Sequence, residues 1–65
     1  MTLGEIQGQL QQPISIMQGT KDLFTGYFYE IKEKFTREEW DKLLCKKVVD
    51  RRRFFELDVV ELEDN

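Results

Sequence analysis

The sequence predicts a single small α+β domain that contains two short helices and a small antiparallel sheet of three to four strands, arranged as two hairpins. Three observations lead to this fold class. The chain has 65 residues, which is enough for one small core. Residues 2–5 and 36–39 have the spacing of helix capping boxes. Residues 14–17 and 54–62 alternate in the manner of half-buried strands.

The first predicted helix begins at Thr2, whose hydroxyl can accept the N–H of Glu5 while the Glu5 carboxylate accepts the N–H of Thr2. Its apolar residues at helical spacing are Leu3, Ile6 and Leu10. Pro13 lacks an N–H and disfavours helical backbone in the residue before it. We therefore expect the helix to end before Pro13.

The first predicted hairpin joins a short strand at residues 14–17 to a longer, aromatic-rich strand at residues 23–31. Residues 18–22 are the predicted turn between them, because Gly19 can adopt a positive φ without steric cost. Residues 32–35 are polar enough to serve as a link to the next element.

The second predicted helix begins at Thr36, with Glu39 completing the capping box. Trp40, Leu43 and Leu44 give it one compact apolar stripe. This stripe predicts that the helix packs on the sheet through a single face.

The second predicted hairpin has a strand at residues 47–50, a basic turn at residues 51–53 and a return strand at residues 54–62. Six basic residues lie between positions 42 and 53, whereas five acidic residues lie between positions 56 and 64. Opposite charges on facing strands stabilise an antiparallel pair, so we expect ion pairs across this hairpin.

Composition argues against several function classes. The chain has no histidine and one cysteine, Cys45, so it offers neither a zinc site of the usual kind nor a disulfide framework. Without histidine there is no nucleophile–base pair for Cys45, and we expect no enzyme activity and no cofactor. The net charge of −3 gives no global nucleic-acid signature. No signal peptide or membrane-length apolar run is visible, so we expect a soluble cytoplasmic protein.

Aromatic residues are the first candidates for partner binding. On one continuous strand, Tyr27 and Tyr29 share one face and Phe24 with Phe28 shares the other. Only one face of a small sheet can meet the helices, so some of these rings are expected at an interface, where tyrosine is favoured. The alternative is that the two helices and the flanking loops bury both faces.

The arginines at positions 51, 52 and 53 are the second candidates. Guanidinium groups suit multidentate contact with phosphate or carboxylate. The simpler explanation is that they pair with Glu56 and Asp58 on the return strand or stay solvated. The partner-binding candidates are, together, Phe24, Tyr27, Tyr29, Arg51, Arg52, Arg53 and Phe54.

The order of elements resembles a group of small uncharacterised accessory proteins encoded by phages and prophages of Gram-positive bacteria. The matching residues are Leu3-Gly4-Glu5-Ile6, Ile14 and Ile16, Leu23-Phe24-Thr25-Gly26, Leu43-Leu44 before Lys47-Val48-Val49, and Leu57 with Val59. The resemblance implies binding to a host protein, a host defence component or its signalling molecule. It transfers no functional residues.

The leading hypothesis from the sequence is a non-catalytic interaction module that binds and inhibits a host or defence protein. Self-association into a homo-oligomer stays open as a use of the same aromatic surface. The alternative is a small ligand-binding protein that captures a nucleotide or nucleic-acid phosphate with the arginine turn and the tyrosines.

Overall fold

The computed structural model describes residues 1–64 and confirms the α+β class, with a four-stranded sheet and three short helices. In chain order the elements are α1 (Leu3–Ile6) with a 3-10 turn (Gln7–Gln9), β1 (Ile14–Gln18), β2 (Lys21–Gly26), a second 3-10 turn (Phe28–Glu30) that runs into α2 (Ile31–Lys34), α3 (Arg37–Leu44), β3 (Val48–Phe54) and β4 (Leu57–Leu62).

Both predicted capping boxes are present and fix where α1 and α3 begin. The Thr2 N–H donates to Glu5 at 2.9 Å, and the Glu5 N–H donates to the Thr2 hydroxyl at 3.3 Å. Thr36 and Glu39 make the same reciprocal pair at 2.8 and 3.1 Å. Each box satisfies two N–H groups that a helix start otherwise leaves without a partner.

The strand order is β2-β1-β4-β3, and the central pair β1–β4 is parallel. The sheet is therefore mixed, with two antiparallel hairpins joined along their inner strands, instead of wholly antiparallel as the sequence suggested. Three consecutive residues of β4, from Asp58 to Val60, are buried. A strand with both faces covered belongs inside a sheet, which explains why β4 lies between β1 and β3.

The hydrophobic core lies on one face of this sheet. Ile14, Ile16, Phe24, Val60 and Leu62 point from the strands towards Leu3, Ile6, Leu10 and Ile31 of the helical layer. The residues Phe35, Trp40, Leu43 and Leu44 are partly buried against the same cluster. On the other face the register places Ser15 beside Thr25 and Arg52 beside Val59, which gives a largely polar surface.

The aromatic segment after β2 is not a continuation of the strand, contrary to the sequence prediction for residues 23–31. Gly26 has a φ of +152° and ends β2. The Glu30 carboxylate then accepts the Tyr27 N–H at 2.9 Å, and the chain turns into helix. The predicted link at residues 32–35 is mostly the helix α2.

The second hairpin also differs from the prediction, because Arg51, Arg52 and Arg53 lie within β3 and not in a turn. Phe54 pairs with Leu57, so the two-residue turn is Phe55 and Glu56. The basic run marks an exposed edge strand, where charged side chains discourage pairing with other chains.

Candidate functional site

One end of the sheet gathers most of the exposed large apolar side chains. The residues Gly26, Ile14, Asp58 and Arg53 lie side by side across the four strands. The end of β2 and the β3–β4 turn are therefore at the same end of the sheet, at two corners separated by three strand spacings, or roughly 14 Å. We call this the aromatic end, defined by Tyr27 and Tyr29 at one corner and by Phe54 and Phe55 at the other.

The Phe54–Phe55 corner is the most exposed apolar feature among residues 1–64. Phe55 is 87% exposed and Phe54 59% exposed, and their rings meet edge to face at 4.6 Å. Phe55 also has a φ of +57°, a conformation that costs a bulky side chain roughly 1–2 kcal/mol. Two-residue turns of this kind favour glycine or asparagine. Neither local backbone preference nor burial explains phenylalanine here.

The Tyr27–Tyr29 corner presents two stacked rings with centroids 6.0 Å apart. Tyr27 is 45% exposed and Tyr29 is 69% exposed. Tyr29 lies in the 3-10 turn and Tyr27 caps the start of that turn, so neither belongs to a sheet face, which corrects the sequence prediction. The Phe28 N–H donates to the Gln12 side-chain oxygen at 2.7 Å and ties this corner to the loop before β1.

The same loop is tied to the other corner by arginines. Arg51 forms a bidentate pair with Asp58, at 3.2 Å from Nε and 3.0 Å from Nη2, and donates to the Gln9 carbonyl at 3.2 Å. Arg53 donates to the Gln11 side-chain oxygen. The hydrogen bonds from Arg51 hold the pKa of Asp58 below its ordinary value, with help from the Gln11 N–H at 3.0 Å. Arg51 therefore stabilises the fold through contacts within the chain.

Arg52 points to the opposite face and pairs with two carboxylates, Asp50 at 2.7 Å and Glu61 at 3.4 Å. Hydrogen bonds to Asp50 first, and then to Glu61, raise the pKa of Arg52. The ion pairs that the sequence predicted across the second hairpin are therefore present for Arg51 and Arg52. The three arginines do not converge on one anion site, since alternate residues of a strand face opposite ways.

Phe24, another predicted contact residue, is buried at 7% exposure and packs its ring 6.1 Å from that of Phe35. It is part of the core and is not available to a partner. This correction follows from the register, which points Phe24 to the helix-covered face beside Ile16.

Cys45 is exposed at the C-terminal cap of α3. Among residues 1–64 no group of three or more Cys, Asp or Glu side chains is arranged to hold a metal ion. No helix within these residues has the length and apolar character to cross a bilayer.

Sequence reasoning missed Phe55 as a candidate. A signal was present, because Phe55 and Glu56 separate a basic strand from an alternating apolar–acidic one. Such a two-residue gap indicates a tight turn. Phe35 and Trp40 were also missed as candidates, and together with Phe28 they line a groove on the helical layer.

No family model, curated protein or solved structure matches this chain. The resemblance to phage and prophage accessory proteins stays a prediction. The exposed aromatic residues and their backbone geometry are the features that bear on function.

Proposed function

We propose that this protein is a non-catalytic interaction module that binds another protein through its aromatic end. The observation that carries the proposal is Phe55, a bulky apolar side chain that is 87% exposed on a turn whose backbone disfavours it. Residues in such conformations cluster at sites of function, because selection for folding alone removes them.

The aromatic end has the composition of a binding hot spot. Aromatic residues are enriched among the few interface residues that contribute most of the binding free energy. A Phe side chain removes a large apolar area from water when it enters a pocket. The edge-to-face packing of Phe54 on Phe55 limits the freedom of both rings before binding. A pre-ordered contact loses less entropy on association.

In its finer form, the proposal is a phage-type accessory protein that acts in the host cytoplasm and inhibits a host or defence protein by occluding its surface or by shifting its conformation. The sequence resemblance supports this form. The phosphate-binding alternative has less support, because Arg51 and Arg52 are engaged by carboxylates of the same chain.

The test is capture of a partner from a lysate of the native host with four tagged proteins. These are the wild type, Phe55→Gly, Tyr29→Ala and the control Val49→Thr, whose parent side chain is exposed on β3 away from the aromatic end. We expect Phe55→Gly to weaken binding of the captured protein at least tenfold, and Val49→Thr to leave it unchanged.

Solution mass by light scattering, at two concentrations, tests whether the partner is a second copy of the chain. If the wild type forms oligomers and Phe55→Gly does not, the aromatic end forms the interface between copies of the chain. Capture or self-association that is equal in all four proteins would contradict the proposal.

A further inference from the structure

A groove on the helical layer lies between α2 and the start of α3. Its apolar lining includes Phe28, Tyr29, Phe35 and Trp40, and its volume is about 510 Å³. The rings of Phe35 and Trp40 are stacked with centroids 6.1 Å apart and an angle of 25°. A groove of this volume with this lining accommodates one or two large side chains.

The charge of the groove is opposite to that of the chain. Lys32 and Arg37 line it, and no carboxylate does, although the chain has 13 acidic and 10 basic residues. Neither cation makes an ion pair or a side-chain hydrogen bond with the other residues in the described range 1–64. Both side chains are therefore available to an acidic partner.

A second groove on the other side of α2 gives the contrast. It is lined by three carboxylates, from Asp22, Glu30 and Glu33, and by a single cation, Lys34. Acidic residues around α2 are thus segregated to one side, and the aromatic groove keeps a purely basic rim. Charge complementarity selects an acidic occupant for it.

We infer that the aromatic groove binds a short segment of a protein partner that carries a bulky apolar side chain next to one or more carboxylates. This inference rests on the proposed function, because Tyr29 belongs both to the aromatic end and to the groove lining. The apolar side chain packs between Phe28, Phe35 and Trp40. The carboxylates pair with Lys32 and with Arg37, whose guanidinium binds a carboxylate bidentately.

A peptide fits these features better than a nucleic acid. Nucleic-acid affinity grows with the number of phosphates that are neutralised, and the groove supplies two cations on a chain of net charge −3. A peptide segment needs only one anchor side chain and one or two charge pairs, and the exposed Tyr29, which also lines the groove, lets it continue onto the aromatic end.

Trp40 makes the test direct, because it is the only tryptophan and its fluorescence reports on the groove. The probes are acetylated and amidated hexapeptides of sequence Gly-Asp-X-X-Asp-Gly, with X as Phe, Leu or Met, and matched peptides with Asn in place of Asp. We expect at least one acidic peptide to change the Trp40 emission and to bind at least tenfold more tightly than its amide counterpart, with an affinity that falls as salt rises.

Two variants separate the groove from its surroundings. The double variant Lys32→Ala/Arg37→Ala should weaken binding of the acidic peptide at least tenfold. Lys34→Ala, on the acidic side of α2, should leave that affinity unchanged. Equal urea midpoints for these proteins show that the folds are intact. The inference is overturned if the acidic and amide peptides bind equally, if Lys34→Ala weakens binding as much as the double variant, or if no peptide of the set binds.

The inference would also be overturned if adenosine monophosphate, measured by quenching of Trp40 fluorescence, bound more tightly than any peptide. That result would indicate a nucleotide site. Failure of this inference is distinguishable from failure of the proposed function. Phe55→Gly changes the opposite corner, so it should leave peptide affinity unchanged while it weakens capture of the native partner. If capture of the native partner depends on Phe55 and no peptide binds, the groove inference fails and the proposed function stands.

Discussion

The two hairpins of the sheet meet the same backbone requirement with opposite kinds of residue. Each has a two-residue turn whose first residue has a positive φ, +62° at Gly19 and +57° at Phe55. Gly19 satisfies this requirement without cost, and Phe55 does not. The difference indicates that the first turn follows the demands of folding and that the second follows an additional demand.

The edge strands of the two hairpins also differ, because β2 contributes a side chain to the core and β3 is almost wholly exposed. In the first hairpin, β2 sends Phe24 into the core. In the second, β3 has one half-buried residue, Val48, and every other residue is exposed. β3 is instead fixed through Arg51, which binds the buried carboxylate of Asp58 and the carbonyl of Gln9. β3 is therefore held largely by polar contacts and displays its remaining side chains, whereas its partner β4 is anchored in the core by Val60 and Leu62.

The largest expected effect comes from removing the polar anchor of the second hairpin. Asp58 is 4% exposed and accepts from Arg51 and from the Gln11 N–H. Asp58→Ala should lower the free energy of unfolding by about 2 kcal/mol, less than the cost for a fully buried pair because Arg51 remains partly exposed. Urea denaturation measures this change.

Glu61→Ala is the matched control, because it removes another carboxylate of β4 that pairs with an exposed arginine. Its urea midpoint should stay close to that of the wild type. An Asp58→Ala midpoint no lower than that of Glu61→Ala would show that polar contacts do not hold β3, and the contrast between the hairpins would fail.

Acid should weaken the same anchor by a smaller amount. The pKa of Asp58 is lowered in the folded state, so its contribution is complete above the unfolded pKa of about 3.9 and is lost as pH falls through the lower folded value. Hydrogen bonds from Thr2 and Thr36 lower the pKa values of Glu5 and Glu39 in the same direction. Stability measured from pH 7 to pH 2 should therefore decline at the acid end.

The Asp58→Asn variant isolates the Asp58 share of this decline. It should show a shallower loss of stability with acid, while the contribution from the two capping boxes remains. Identical slopes in both proteins would mean that Asp58 does not titrate differently in the folded and unfolded chains.

The smallest expected effects lie in the turns and have opposite signs. Gly19→Ala should destabilise the fold by about 1 kcal/mol, since alanine disfavours positive φ. Phe55→Gly should stabilise it by up to about 1 kcal/mol, since relief of backbone strain exceeds the entropy that glycine adds to the unfolded chain. Thermal unfolding of both variants, side by side, measures the two shifts. Destabilisation by Phe55→Gly would assign Phe55 a folding role and remove the basis for the proposed interface.

Local patterns in the sequence predicted the parts of the fold that depend on neighbouring residues. The capping boxes at Thr2 and Thr36, the strand β1 and the turn at Gly19 each rest on contacts within a few positions. The strand prediction for the aromatic segment after Gly26 was wrong because β propensity was given priority over the helical spacing of its apolar residues. Phe28, Ile31 and Phe35 are three and four residues apart, as on one face of a helix.

Other features have no local signal. The parallel pairing of β1 with β4 joins residues 44 positions apart, such as Ile14 and Asp58. Without that pairing the sequence does not reveal that Asp58 is buried and that Arg51 is already engaged. The aromatic end and the groove likewise depend on how distant elements meet, which explains why Tyr27, Tyr29 and Phe54 were named but Phe55 and Trp40 were not.

The central place of β4 has a consequence for how the protein folds. Neither hairpin gains its inner neighbour until residues 57–62 have docked beside β1. The pairing of β1 with β4 therefore requires one long loop closure, and its entropy cost is repaid only when both hairpins meet over the core. We expect folding and unfolding in one concerted step, with no stable half-sheet in which the edges of β1 and β4 stand open to other chains.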